Sequence, residues 1–341
     1  EHSLFSEASL QITRRMQTDE ANQKLDRTIE GFLGVLSRHF LSHAAQKALE
    51  FLLRHYRVHR HNTVALLRCI LPYHATRLFV RVAVLLHGDE KRTGWLRAAG
   101  GVKLSVPPPR SLFVQHAAKD TQLMEQILGL GATHPIAQAF STVMTLEIAG
   151  KATDDRLCRT LLDNARTSLT SQASVERQLS GMLLIVQLCC RQSLAAEPVR
   201  LLAELIAARL RQAESAAESR HYLQCLLVLY RLPPLSAAAR GISPWPSLFR
   251  DPDGGLLDAE APSTKALFTA VTELCSRHDV SALLRPLLLQ LAGARTNAPH
   301  AAARILLTLP LRSLARPIAA LLVSLEASED SRPVAQWLWR T

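Results

Sequence analysis

Aromatic residues make up only 5% of this 341-residue chain, and Asp and Glu number 29 against 40 Lys and Arg. Long apolar runs are missing too. The longest, such as Met182 to Val186 and Leu226 to Tyr230, fall far short of the roughly 18 to 20 residues that cross a bilayer, so no membrane-spanning helix is expected. Six cysteines without a CxxC pair do not make a secreted disulfide framework; they suit a reducing compartment, with the thiols serving as small apolar side chains. The phosphate-binding GxxxxGKS or GxxxxGKT loop, a GxGxxG after a strand and a GxSxG nucleophile elbow are all absent, and Gly100-Gly101 and Gly254-Gly255 follow no strand. The expectation is a protein without catalysis, metal, cofactor or small-molecule substrate. The chain opens on Glu1, with no charged, apolar and small-residue succession behind it, so a piece of a longer protein is expected.

What is abundant is Leu and Ala, within a hydrophobic content of 48%. Both are strong helix formers, and the apolar residues recur in steps of three and four. Leu25, Ile29, Phe32, Leu33, Leu36 and Phe40 form one stripe; Ala45, Ala48, Leu49, Leu52, Leu53 and Tyr56 form the next, with Gln46, Lys47, Glu50, Arg54 and Arg57 opposite. These two helices predict a hairpin. Asn62 is placed to cap a third helix carrying Val64, Leu67 and Leu71, and Pro72 forces a break before a fourth with Leu78, Phe79, Val82, Leu85 and Leu86. The hairpin therefore recurs after about forty residues, the period of HEAT or armadillo units. Later stripes keep the pattern: Met182 to Cys190, then Val199, Leu202, Ile206 and Leu210, then Leu223, Leu226, Leu227 and Tyr230, then Leu267, Val271 and Leu274. A lone amphipathic hairpin cannot bury its own apolar face, so the predicted fold is an all-α, HEAT/armadillo-like solenoid of stacked hairpins.

Two stretches rich in Pro and Gly interrupt the helices, one ending at Pro107-Pro108-Pro109 and one containing Ser243-Pro244-Trp245-Pro246 and Asp251-Pro252-Asp253-Gly254-Gly255. The expected organisation is N-terminal hairpins over 1–87, a linker over 88–110, helical repeats over 111–232, a loop over 233–263 and C-terminal repeats over 264–341. Trp337 and Trp339 close the chain as a cap on the last hairpin or the start of a further repeat.

The formal charge of +11 favours polyanionic partners. Between Gly31 and His87 the strong charges are Arg38, Lys47, Arg54, Arg57, Arg60, Arg68, Arg77 and Arg81 against Glu50 alone. Arginine forks match phosphate and carboxylate alike, so Arg54, Arg57, His59, Arg60, His61, Arg77 and Arg81 are the candidate contact surface for RNA or an acidic protein face. A merely solvated basic face is the alternative. His39/His43 and His55/His59 stand four apart, a spacing that puts two imidazoles on one helical face where a metal could be held. Nothing completes such a site: Tyr56 follows His55 and Arg60 follows His59, where a zincin needs Glu. Cys189-Cys190, in an apolar helix, are expected to be buried and inert.

The block Leu25-Asp26-Arg27-Thr28-Ile29-Glu30-Gly31-Phe32-Leu33, continuing through Ala45-Gln46-Lys47-Ala48-Leu49-Glu50-Phe51-Leu52 and Arg57-Val58-His59 to Leu71-Pro72-Tyr73-His74 and Phe79-Val80-Arg81-Val82, closely resembles the N-terminal region of the Utp10 family. The likeness thins through Trp95-Leu96, Gly101-Val102-Lys103 and Lys119-Asp120, and past about residue 125 it fades into generic helical repeat. Phe51 stands where the family commonly has Trp, and Ala75 follows His74 where Glu is expected. The resemblance implies a large HEAT-repeat scaffold of the nucleolar small-subunit processome. In its UtpA subcomplex such a scaffold would join WD-repeat subunits on the 5′ external transcribed spacer of pre-rRNA, supporting early 18S rRNA processing and rRNA transcription.

Two rivals differ in kind. A transport or assembly adapter of karyopherin type would bind protein partners with no RNA role, and would carry acidic inner faces for basic cargo. An enzyme built on the histidine cluster would need the metal site that the spacing leaves incomplete.

Overall fold

The computed structural model describes residues 18–88, 106–151, 154–170, 174–192, 194–231 and 261–280, with scattered positions beyond. Most of the expected linker over 88–110, the loop over 233–263, the hairpins after residue 280 and Trp337 and Trp339 lie outside the described residues. Two compact units divide the chain, Glu1–Leu157 and Cys158–Thr341. All regular structure among the described residues is helical.

The first unit opens with α1 (Asp19–Ser37), whose N-terminus is capped by Thr18 accepting a hydrogen bond from the Ala21 amide at 3.3 Å. Asp19 and Glu20 in its first turn suit the positive end of the helix dipole. Ser42 caps α2 (His43–His55) in the same way. Ile29, Leu33, Leu36 and Phe40 are buried, as are Ala45, Ala48, Leu49, Leu52 and Tyr56, so the first hairpin forms on the predicted stripes. Phe32, assigned to the core by its spacing, is instead 39% exposed. The buried face of α1, which packs on α4, is turned toward Ser37, a polar residue that no apolar stripe would include.

The linkage to the second hairpin differs from expectation. Arg57 adopts a left-handed conformation with φ of 49°, a state costing an L-residue about 1 kcal/mol or more, and it separates α2 from a short extra helix, α3 (Val58–His61). Asn62 does not cap α4 (Thr63–Ile70). It is buried, and its amide donates to the Asp26 carbonyl of α1 at 3.3 Å, tying one hairpin to the other. Pro72 breaks the chain as expected, in a 3-10 turn over Leu71–Tyr73, and Thr76 then caps α5 (Arg77–Ala83). A second 3-10 turn, Val84–Gly88, follows, and Leu85 is 45% exposed where the stripe placed it inside. The switch from a 3.6-residue to a tighter helical turn at Val84 rotates it off the apolar face. The unit continues with α6 (Arg110–Ala117), α7 (Thr121–Leu130) and α8 (Pro135–Ala149), and α8 packs on α6, α7 and the Leu71–Tyr73 turn.

The second unit contains most of α9 (Asp155–Thr170), then α10 (Val175–Arg191), α11 (Ala196–Gln212), α12 (Ala216–Arg231) and α13 (Pro262–Cys275). α12 packs on α10, α11 and α13, and α11 also meets α13, so helices contact both the next and the next but one. Every member of the Val199, Leu223 and Leu267 stripes is buried. Hydrogen bonds between hairpins mark the period: Arg209 Nε donates to the Leu169 carbonyl at 2.6 Å, Cys225 Sγ to the Met182 carbonyl, and the Tyr222 hydroxyl to Gln178, over 40, 43 and 44 residues. In the first unit four such ties span 32 to 37 residues. The fold is a helical-hairpin repeat of about the expected period.

Gly181 lies where α10 crosses α9: a Cβ there would sit 3.0 Å from Ser168 Cβ and 3.1 Å from the Ala165 carbonyl oxygen. Gly34 in α1 has nothing within 4 Å of the same position. Gly181→Ala should therefore lower stability by about 1 to 3 kcal/mol by prising two helices apart. Gly34→Ala should raise it by about 0.5 to 1 kcal/mol through helix propensity. Thermal unfolding of the two variants checks the opposite signs.

Candidate functional site

The candidate basic residues are carried by the end of α2 (Arg54), the α2–α3 turn (Arg57), α3 (His59, Arg60 and His61) and α5 (Arg77 and Arg81). Arg54 is the one with a carboxylate partner, at 2.7 Å from Glu50, which also lies 3.6 Å from Lys47. All three are well exposed, so these pairs contribute at most about 1 kcal/mol and yield readily to a stronger ligand. Arg57, Arg60 and His61 project from the turn into solvent, and Arg77 and Arg81 are exposed one helical turn apart on α5. Among the described residues no carboxylate pairs with Arg57, Arg60, Arg77 or Arg81. The Val84–Gly88 turn leads from α5 onto α3, bringing the chain back to the basic turn.

His59 behaves differently from its neighbours. It is half-buried, its Nδ1 has no hydrogen-bond partner, and burial, followed by the positive charge of Arg60, Arg57 and His61, holds its pKa below the usual imidazole range.

The histidine spacing does not deliver paired ligands. His39 lies in the turn after α1 while His43 begins α2, and His55 ends α2 while His59 lies in α3 beyond the left-handed Arg57. The four-residue rule holds only inside one continuous helix, and both pairs straddle a break. Among the described residues, no three His, Cys, Asp or Glu side chains gather as metal ligands. Cys69, Cys158, Cys189 and Cys225 are buried, and burial pushes the Cys69 and Cys189 thiols up to about 12, far from thiolate reactivity. Cys190 corrects the expectation of burial: one residue on from Cys189, it turns to the outer face of α10 and is exposed.

Sequence reasoning missed a buried polar node in the first unit. Ser37 Oγ donates to the Cys69 carbonyl at 2.9 Å, the Tyr73 hydroxyl donates to the Ser37 carbonyl, and His134 Nε2 lies 2.9 Å from Ser37 Oγ. His134 Nδ1 accepts from the Ala137 amide and so caps α8, which assigns the proton to Nε2 and makes it the donor to Ser37. Three segments far apart in sequence thus meet at one serine. Above the node is a cleft of about 240 Å³ lined by Gly34, Val64, Arg68, Gly129 and Thr133. The Leu71-Pro72-Tyr73-His74 element proves to be packing machinery. Tyr73 reaches Ser37, and buried His74 lies edge-on to Phe113 at 5.1 Å and tilted against Phe140 at 5.2 Å. A legible signal for the node was Thr133-His134-Pro135, a polar residue directly before a helix-opening proline.

No family model matches the chain. Its homologues include HEAT repeat-containing protein 1 of Homo sapiens, 29% identical over 304 residues, or 84% of this chain and 13% of that protein. The protein of the same name from Danio rerio is 37% identical over 130 residues, 38% of this chain and 6% of its own length. U3 small nucleolar RNA-associated protein 10 of Yarrowia lipolytica is 29% identical over 217 residues, 61% of this chain and 13% of its own length. The chain thus spans no more than 13% of these curated relatives. With 304 residues aligned to the human protein, the likeness continues well beyond residue 125. The helical-hairpin solenoid is of the HEAT/armadillo-like class, in keeping with the HEAT repeats that the names of these relatives give.

His59, His74 and His134 all titrate below the ordinary imidazole value, each chiefly through burial. The unfolded chain therefore takes up protons first, near pH 6.5, so stability is full above that value and drains away as pH falls through the folded values. For His134, protonation of Nδ1 also removes the cap on α8. His134→Ala should cost about 1 to 2 kcal/mol at neutral pH. It should also flatten the loss of stability between neutral and mildly acidic pH, as read by denaturant unfolding at each pH.

Proposed function

We propose, from the homology to HEAT repeat-containing protein 1 and U3 small nucleolar RNA-associated protein 10, that this chain is part of a non-catalytic scaffold of the small-subunit processome. It acts in the nucleolus, within the UtpA subcomplex, alongside WD-repeat subunits. There it contacts the 5′ external transcribed spacer of pre-rRNA and supports early 18S rRNA processing and rRNA transcription. The name of the fungal relative ties that protein to U3 small nucleolar RNA. The observation that carries the reading for this chain is the set Arg57, Arg60, Arg77 and Arg81, exposed and without carboxylate partners among the described residues. His59 and His61 flank it, and Arg54 joins when it leaves Glu50.

Exposed guanidiniums on the α2–α3 turn, α3 and α5 favour a polyanion for two reasons. They release the counterions condensed on phosphates when they bind, and their forked N–H groups match phosphate oxygens. Conformational strain at Arg57 fits the same role, because a left-handed arginine is kept only where the surrounding structure enforces it, and here it displays the basic turn. No bond chemistry is required. Stacked hairpins hold partners at fixed separations, and binding energy alone does the assembly.

Reversing Arg57, Arg60, Arg77 and Arg81 to Glu in the full-length protein should reduce pre-rRNA recovery at least about tenfold. It should also make the salt dependence of RNA binding shallower, by roughly 0.7 in the log–log slope for each phosphate that is no longer neutralised. The folded state should persist, since all four side chains are exposed. RNA recovery that is unchanged while protein partners are lost would refute the RNA reading in favour of a protein adapter.

A further inference from the structure

The second unit has a cationic pocket of about 260 Å³ between α12 and α13, lined by Arg220, His221 and Gln224 from α12 and by Glu273, Arg277 and His278 from the end of α13 and its closing turn. The donors come from two helices and face a shared hollow, where two guanidiniums, two imidazoles and an amide meet a single carboxylate.

That carboxylate is engaged in fixing the wall. Arg220 Nη1 donates to Glu273 Oε2 at 3.1 Å, bridging the two helices and using one of the five N–H groups that a guanidinium carries. Arg277 and His278 are held in place by their backbone, both amides donating to the Leu274 carbonyl at 3.0 and 2.8 Å. Among the described residues Arg277 has no carboxylate partner. A basic residue just past a helix C-terminus has an ordinary explanation in the negative end of the helix dipole. That accounts for Arg277 and His278 alone. It does not account for Arg220 and His221, which line the same hollow from the first turns of the neighbouring helix.

We infer that this pocket binds a phosphomonoester, of the kind carried by a phosphorylated serine or threonine of a partner protein. Donors approaching from two sides suit a tetrahedral group with three terminal oxygens better than a planar carboxylate, and Arg forks make charge-assisted, bidentate bonds to it. Neutral or charged, each imidazole supplies an N–H. The donors also line one hollow. A phosphodiester backbone offers two non-bridging oxygens per unit and is followed by a basic track, whereas here the pocket is a single concavity. Arg231, further along α12, is already committed to the Asp279 carbonyl.

Calorimetric titration of the full chain with an acetylated, amidated Ala-Gly-phosphoserine-Gly-Ala peptide tests this directly. Saturable binding is expected, with none to the unphosphorylated peptide. Arg277→Ala combined with His278→Ala should weaken binding about tenfold or more, the usual cost of losing bonds to a charged group. Arg277→Lys, which keeps the charge and loses the fork, should fall between. Both sites are exposed, and unfolding curves matching the parent verify that the fold is intact. No saturable binding to the phosphopeptide would overturn the inference, as would binding that the double variant leaves unchanged. So would a short oligouridylate that binds more tightly than the phosphopeptide and is lost in the double variant.

Discussion

A two-helix hairpin of this chain has one apolar face and nothing of its own to cover it, and the described structure is organised by that shortage. Each helix is completed by the neighbour that arrives a repeat later, which is why α12 packs on α10 and α13 on α11 as well as on α12. Burial alone would let such hairpins slide along one another. Polar ties between repeats set the register. In the first unit they converge on Ser37, which receives Tyr73 and His134 and reaches Cys69; in the second they run singly, as from Arg209 to Leu169 and from Tyr222 to Gln178. Leaving a buried polar group unbonded costs about 1 to 3 kcal/mol, so each tie disfavours alternative alignments.

This division of labour explains what was legible in the sequence. Apolar periodicity located α1, α2, α10, α11, α12 and α13, because a 3.6-residue stripe follows from burial against a neighbour whichever neighbour it is. It could not say where the edge of the buried face lies. Phe32 and Leu85 read as core and are partly exposed, since what covers each helix is decided by a segment distant in sequence. Asn62 failed as a cap for a similar reason: an amide that can satisfy a helix end locally is drawn instead to the Asp26 carbonyl, 36 residues away. Ser37 and His134 are 97 residues apart, and no local pattern joins them. The histidine pairs show the opposite failure, in which a correct spacing rule is applied across a break: the α1–α2 turn for His39 and His43, and the left-handed Arg57 for His55 and His59.

The same logic separates framework from surface in the block that most resembles the Utp10 family. Tyr73, His74 and the apolar stripes of that block are spent on packing within the chain, and they carry much of the resemblance. The exposed arginines are a different set. Arg57, Arg60, Arg77 and Arg81 contribute nothing visible to the core, as the proposed contact with a partner requires of them. A scaffold needs this arrangement: a framework that cannot slip, and side chains at its rim left available for ligands of opposite charge.

The proposed contact of the basic turn, α3 and α5 with pre-rRNA in the assembled particle can be read at the peptides that carry it. Ultraviolet crosslinking of the full-length protein within native particles, read by mass spectrometry at peptide resolution, tests it most directly. RNA adducts should concentrate on peptides covering residues 54–61 and 77–81 and be sparse on the peptides of α10 and α11. Adducts absent from both segments, with protein crosslinks in their place, would contradict the account.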